Sequence, residues 1–285
     1  AVVQAAPGEV GRLTGEILLF DETGRLVAAV EGRELRHVSQ HALARTQSKP
    51  YLDWLYEIGW EQKELGSEAT AQPQPRQWVV FAEPGARGER LVDRLRTQGL
   101  RVETVRAGAG YRAQGGGRHE VAPDRPEDFE TLFRALGDGE WGVAYLWPLE
   151  DAASDTAVAL SAQQRLLGGA LHLVQGLLRT GTRARLRLVT CGAQAVGEAP
   201  EVSPVQAALW GLGRTVALEH PELSCVLVDL ESGSDGERDA EAFGAQLGVG
   251  DGENQVAYRD GKRYVARLVR FKSRASSVDA EIRAD

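Results

Sequence analysis

Methionine is absent from the 285-residue chain, and cysteine occurs only twice. Two lone thiols, Cys191 and Cys225, provide no disulfide framework and no metal-ligand spacing, and each sits against an apolar run, where a small buried thiol is expected. Lysine is scarce, and the balance of 33 basic to 41 acidic residues leaves a net charge of −8. That balance argues against nucleic acid as a partner, because phosphate binding needs a concentrated basic surface. No apolar run approaches the ~18 residues of a membrane span, and no signal peptide is visible, so a cytoplasmic protein is expected. The chain opens Ala1-Val2-Val3, as a segment of a longer protein would. No G-x-S-x-G elbow and no phosphate-binding P-loop appears. His37, His41, His119, His172 and His220 have no Cys or carboxylate partner at ligand spacing.

Hydrophobic periodicity is what the chain does carry. Leu13–Phe20 and Arg25–Val38 read as two strands around an Asp21-Glu22-Thr23-Gly24 turn. An isolated hairpin is marginal in water, so it should belong to a larger sheet. Residues 39–50 read as a polar connection. Leu52, Trp54, Tyr56, Ile58 and Trp60 recur at period two, which predicts one core-facing side of a strand over residues 51–60. Residues 62–76, with Pro73 and Pro75, read as a linker.

From there strands and helices alternate. Strands are predicted over 78–82, 101–105, 142–147, 185–190 and 225–230. A helix over 88–98 should carry Leu91, Val92 and Leu95 inward and stop at Gly99. Asp124 is a candidate cap for a helix bearing Phe129, Leu132, Phe133 and Leu136. Ser161 with Gln164, and Ser203-Pro204 with Gln206, read as capping boxes opening two more helices. Residues 237–247 suggest a last helix. Asp260-Gly261 reads as a hairpin turn between strands over 255–258 and 263–270, and 271–285 has no packing pattern. The alternation predicts an α/β domain over 76–270: a truncated Rossmann-like, mostly parallel sheet with helices on both faces.

Such a layout invites a dinucleotide, but the required parts are missing. The first strand-to-helix turn, Ala82-Glu83-Pro84-Gly85-Ala86-Arg87-Gly88-Glu89, lacks the middle glycine that lets backbone approach a pyrophosphate. Glu83 and Glu89 would also repel phosphate. The Gly-rich stretch 108–117 follows the second strand and reads as a flexible surface loop. Tyr258 and Lys262 have the four-residue spacing of a reductase acid pair, but the Asp260-Gly261 turn puts them on different strands. No catalytic, cofactor-binding or metal-binding residue is therefore assigned.

Several stretches nonetheless resemble one family, the ketoreductases of modular type I polyketide synthases. Tyr51-Leu-Asp-Trp-Leu-Tyr-Glu-Ile-Gly-Trp60 is similar to their opening strand. Val202–Glu222, with Ser203-Pro-Val-Gln-Ala-Ala-Leu-Trp-Gly-Leu-Gly-Arg-Thr215, is similar to a signature of their structural subdomain, as are Cys225–Leu230 and Gln255–Leu268. Residues 1–46, through Gly24, Val30-Glu31-Gly32 and Leu35, resemble the last strands of a hotdog-type dehydratase domain. The resemblance implies an opening strand and linker over 47–75, a structural subdomain over 76–270 and a linker to the next domain over 271–285. It implies a non-enzymatic half that braces a catalytic subdomain. That partner would bind NADPH, carry the Ser-Tyr-Lys machinery and reduce β-ketoacyl groups on an acyl carrier protein. The implied partners are therefore the catalytic subdomain, the upstream dehydratase and the carrier protein. The competing readings are an autonomous NADPH-dependent short-chain reductase and a docking module for another synthase domain.

Overall fold

The computed structural model describes residues 2–7, 12–36, 54–65, 74–150, 156–197, 202–234, 236–247 and 250–271. Two compact units are distinguished, residues 1–57 with 269–285, and residues 58–268. In the first, β1 (Val2–Pro7), β2 (Arg12–Phe20) and β3 (Leu26–Arg36) form an antiparallel sheet in the order β1-β2-β3. The β2–β3 hairpin falls where the sequence places it, and β1 adds a strand the sequence reading left out. Its turn is held by Asp21, whose carboxylate accepts hydrogen bonds from the Thr23 and Arg25 amides and the Thr23 hydroxyl. His37 and His41 and the 39–50 connection lie outside the described residues.

The second unit is organised around a ten-stranded sheet, counted among the described residues. Its strands are β4 (Tyr56–Gln62), β5 (Gln77–Phe81), β6 (Arg101–Ala107), β7 (Arg112–Gly115), β8 (Arg118–Val121), β9 (Glu140–Tyr145), β10 (Arg183–Cys191), β11 (Val226–Leu230), β12 (Gln255–Arg259) and β13 (Lys262–Arg270). The spatial order is β4-β13-β12-β11-β10-β9-β5-β6-β8-β7. From β8 to β12 every pairing is parallel, and antiparallel β7 and β13 flank that block. Counted from β5, the parallel order is 3-2-1-4-5-6-7, the doubly wound Rossmann arrangement.

Five α-helices are described: α1 (Ala86–Thr97), α2 (Pro126–Leu136), α3 (Thr156–Thr180), α4 (Pro204–Glu219) and α5 (Gly236–Leu247). One face of the sheet packs α2, α3 and α4 through Phe129, Phe133, Leu173 and Leu209 against Val79, Phe81, Tyr145 and Leu188. The other packs α1 and α5 through Leu91, Leu95 and Phe243 against Trp78, Val80, Val189 and Val228. Burial on both faces explains why these strands are apolar runs rather than alternating ones. Each large buried side chain contributes about 1.5–3 kcal/mol.

Several local expectations are corrected. The stretch 108–117 is not a loose loop: β7 and β8 form a hairpin whose turn glycines Gly115, Gly116 and Gly117 all take positive φ. That hairpin stands where a doubly wound fold usually places a helix. Asp124 is not the cap of α2. The cap position is Arg125, and it is Asp128 whose carboxylate accepts the Ala122 amide. Ser161 lies inside α3, which already starts at Thr156, so the 161/164 capping box does not form there. Pro204 does open α4, but Ser203 makes no capping bond and Gln206 turns inward to accept the Cys191 amide. Burial of the Gln206 amide, paired to a strand end, outcompeted the local cap.

The apolar strip over 52–60 is only partly a core face. Leu52 lies outside the described residues, and Trp54 precedes the strand and is 77% exposed. Tyr56 and Ile58 are half exposed, and only Trp60 packs inward, edge-on to Trp210 at 5.8 Å. β4 is anchored by charge as well. The Lys63 amide donates to Arg263 O, while Glu253 takes Lys63 and Arg267 at 2.6 Å each.

Two measurements check this packing. A Cβ on Gly142 would lie 2.2 Å from the Trp78 ring, whereas one on helical Gly211 meets nothing within 4 Å. Gly142→Ala should cost about 1–3 kcal/mol and Gly211→Ala should gain up to about 1 kcal/mol, read from urea midpoints. The hydrogen bond from Arg267 lowers the Glu253 carboxyl from 4.5 to about 2, burial opposing it and Lys63 assisting. A depressed folded-state value contributes stability fully above the unfolded value and loses it as pH falls through the folded one. The stability gap between wild type and Glu253→Gln, about 1–2 kcal/mol after solvent screening, should hold above pH 4.5 and close between pH 4.5 and 2.

Candidate functional site

In open α/β sheets, ligands bind outside the carboxyl ends of the strands, at the switch point where strand order reverses. Here that point lies between β5 and β9. Trp147, just past β9, is 4% exposed and reaches across β5 to donate its indole N–H to Val105 O on β6 at 3.3 Å. It stands edge-on to Phe81 at 5.5 Å. Gly169 of α3 makes room for it: a Cβ there would lie 2.8 Å from the Tyr145 hydroxyl and 3.1 Å from the Trp147 ring. Tyr145 donates to Leu166 O, and burial raises its phenol far above the ordinary value.

The first turn after β5, where a pyrophosphate would sit, is committed elsewhere. Glu83 accepts the Ala107 amide at 2.8 Å, tying the ends of β5 and β6. Arg87, in the first turn of α1, pairs with buried Asp239 of α5 at 2.6 Å and donates to Ser234 O and to Cys191 Sγ, each at 3.0 Å. A guanidinium thus spans the distance from α1 to the ends of β10 and β11.

The third closure is a buried polar network over β10, β11 and β12. Asp229 is fully buried and accepts from the Arg259 guanidinium, from Thr190 Oγ1 at 2.6 Å and from the Ala193 and Gln194 amides at 2.8 and 3.1 Å. Arg259 also donates to the carbonyls of Asp229, Leu230, Tyr258 and Gln194. Trp210 of α4 completes it by donating to Thr190 Oγ1 at 2.9 Å.

Tyr258 and Lys262 stand on β12 and β13, flanking the Asp260-Gly261 turn with φ of 51° and 69°. Tyr258 is buried against Gln246, and burial pushes its phenol up to about 12, unlike a reductase acid. Burial likewise raises both thiols, Cys225 to about 12. His172 Nδ1 donates to Pro123 O at 2.8 Å, and the ring rests near Phe129. The pairing of β6 with β8 brings His119 to 3.2 Å from Glu103, a carboxylate partner that spacing along the chain did not show. Burial would raise the Glu103 carboxyl, but hydrogen bonds from Arg101 and His119 outweigh it and hold it low. Sequence reasoning passed over Asp229, Arg87 and Trp147. Asp229, a carboxylate inside the apolar run 226–230, was the one visible signal. Among the described residues no cluster of three or more potential ligands could hold a metal ion, and no helix is long and apolar enough to cross a membrane.

The strand order defines a Rossmann-type α/β domain, with Trp147, Arg87 and the Asp229–Arg259 pair set at the carboxyl ends of its strands. Residues 77–268 match the Rossmann fold domain of the polyketide synthase extender module SpnB, and the chain belongs to that family. It is 52% identical over 150 residues to erythronolide synthase EryA3 of Saccharopolyspora erythraea, covering 53% of this chain and 4% of that protein. It is 32% identical over 242 residues to the pikromycin polyketide synthase component PikAII of Streptomyces venezuelae, covering 82% and 6%. Among solved structures, a C2-type ketoreductase from a modular polyketide synthase matches with TM-score 0.53 and 30% identity over 77% of this chain and 44% of that one. An A1-type ketoreductase matches with TM-score 0.58 and 26% identity over 81% and 44%. The chain thus spans a small fraction of these synthases and less than half of each ketoreductase.

The Asp229–Arg259 pair gives a direct test of the closure. Removing one charge of a buried pair costs about 3–5 kcal/mol, so Asp229→Asn should lower the thermal midpoint far more than Glu253→Gln does at neutral pH, read by circular dichroism.

Proposed function

We propose that this chain is the non-catalytic, structural half of a polyketide synthase ketoreductase, bracing an NADPH-binding half during β-keto processing of carrier-protein-bound intermediates. The observation that carries this reading is the first strand-to-helix turn and switch point, where Glu83 is bonded to the Ala107 amide, Arg87 is paired with Asp239 and Trp147 lies across β5, so that none of these groups is free to hold a dinucleotide. In support, α3, which follows the fourth parallel strand, contains neither tyrosine nor lysine. Coverage of less than half of each solved ketoreductase leaves room for a separate catalytic half. The three-stranded sheet of β1–β3 is read, on the same resemblance, as the end of a dehydratase-type domain. NADPH, the catalytic half, the dehydratase and the acyl carrier protein are accordingly assigned to the assembly and not to a site on this chain.

Titration with NADPH, followed by nicotinamide fluorescence, tests the proposal. The isolated chain should give no saturable change into the high micromolar range. Saturable micromolar binding, or reduction of a model β-ketothioester by the chain alone, would replace it with an autonomous reductase.

A further inference from the structure

The two edges of the ten-stranded sheet are built differently. β7 has the features of a protected edge: four residues, all exposed, with a register irregularity between Ala113 and Gly115 and a charged Arg112. Short length, charge and a bulge each discourage another strand from pairing there. β4 is the opposite. It runs seven residues, Tyr-Glu-Ile-Gly-Trp-Glu-Gln, with no proline or lysine and with its two carboxylates, Glu57 and Glu61, on the face opposite Ile58 and Trp60, and among the described residues its hydrogen-bonded neighbour is β13 alone.

Backbone direction can be read from one bond. The Lys63 amide points to β13, donating to Arg263 O at 3.0 Å. Alternation along a strand then turns Glu61 and Gly59 toward β13 and leaves the N–H and C=O groups of Trp60 and Ile58 on the free edge. The same parity carries the apolar side chains, with Ile58 46% exposed, and Leu268 on neighbouring β13 is 69% exposed. The edge is also held still. Glu253 binds Lys63 and Arg267, and Trp60 is seated on Trp210, so the strand is ordered before any partner arrives. A pre-ordered edge lowers the entropic cost of adding a strand.

We infer that the outer edge of β4 receives an extended strand from the catalytic half of the same ketoreductase, which continues the sheet through backbone hydrogen bonds at Ile58 and Trp60. This rests on the reading of the chain as a bracing half. The candidate strand is available, since more than half of each ketoreductase it resembles is unaccounted for by this chain, which covers 44% of each.

Hydrogen–deuterium exchange on the chain alone and on a ketoreductase that contains it tests the inference, with association of the two separately expressed halves measured by sedimentation. The Ile58 and Trp60 amides should exchange freely in the chain alone and slow by about tenfold or more when the catalytic half is present. Gly59 and Glu61 should be slow in both. Ile58→Pro, which removes one outward N–H and leaves the β13 bonds in place, should weaken association at least about tenfold without lowering the melting point of the chain alone. Association with unprotected Ile58 and Trp60 amides overturns the edge pairing and leaves the bracing role standing. No association at all overturns both. Protection that appears in the chain alone and grows with its concentration assigns the edge to a second copy instead.

Discussion

A fully buried carboxylate, Asp229, pairs with the nearly buried guanidinium of Arg259, and much of the domain's character follows from the need to satisfy these two charges. An isolated ion in the interior would cost several kcal/mol, and the pair is tolerable because both Asp229 oxygens and both terminal nitrogens of Arg259 find partners, Arg259 Nε alone being left without one. The partners come from every element that ends nearby: Thr190 on β10, the amides of Ala193 and Gln194 beyond it, and carbonyls of β11 and β12. Trp210 then fixes the Thr190 hydroxyl from α4. The network therefore locks three strand ends and one helix together at the end of the sheet where Rossmann domains keep open space for ligand.

The same end is closed twice more by different chemistry. Trp147 fills the switch point with an aromatic plate, and Gly169 exists in α3 to let it in. Arg87 takes the place beside α1 that a phosphate would take and spends its charge on Asp239. The three clusters are independent of one another in sequence, yet all sit at the carboxyl ends of the strands. Buried area and paired polar groups at that end contribute stability without any bound group.

The architecture beyond the closed end points outward. The hairpin of β7 and β8 replaces a helix and finishes one edge of the sheet with polar, short and irregular structure. The other edge keeps a seven-residue strand fastened by Trp60 on Trp210 and, just past its end, by Lys63 on Glu253. The two edges of the sheet thus differ in length, exposure and regularity.

The sequence alone determined the alternation of strands and helices from residue 77 onward, because strands buried on both faces must be apolar runs and the helices between them must be amphipathic. It also determined that Tyr258 and Lys262 could not share a helix, since Asp260-Gly261 demands a reversal. What it left open depended on partners distant along the chain. Ser203 and Gln206 spelled a cap, but Gln206 was drawn to the Cys191 amide. Ser161 and Gln164 spelled a helix start inside a helix that already begins at Thr156. The exposure of Trp54 and Ile58, the pairing of His119 with Glu103 and the meeting of Asp229 with Arg259 were decided only by tertiary structure. Local spacing fixes which face a residue takes; which neighbour waits there is settled by strand order, and strand order is a long-range property.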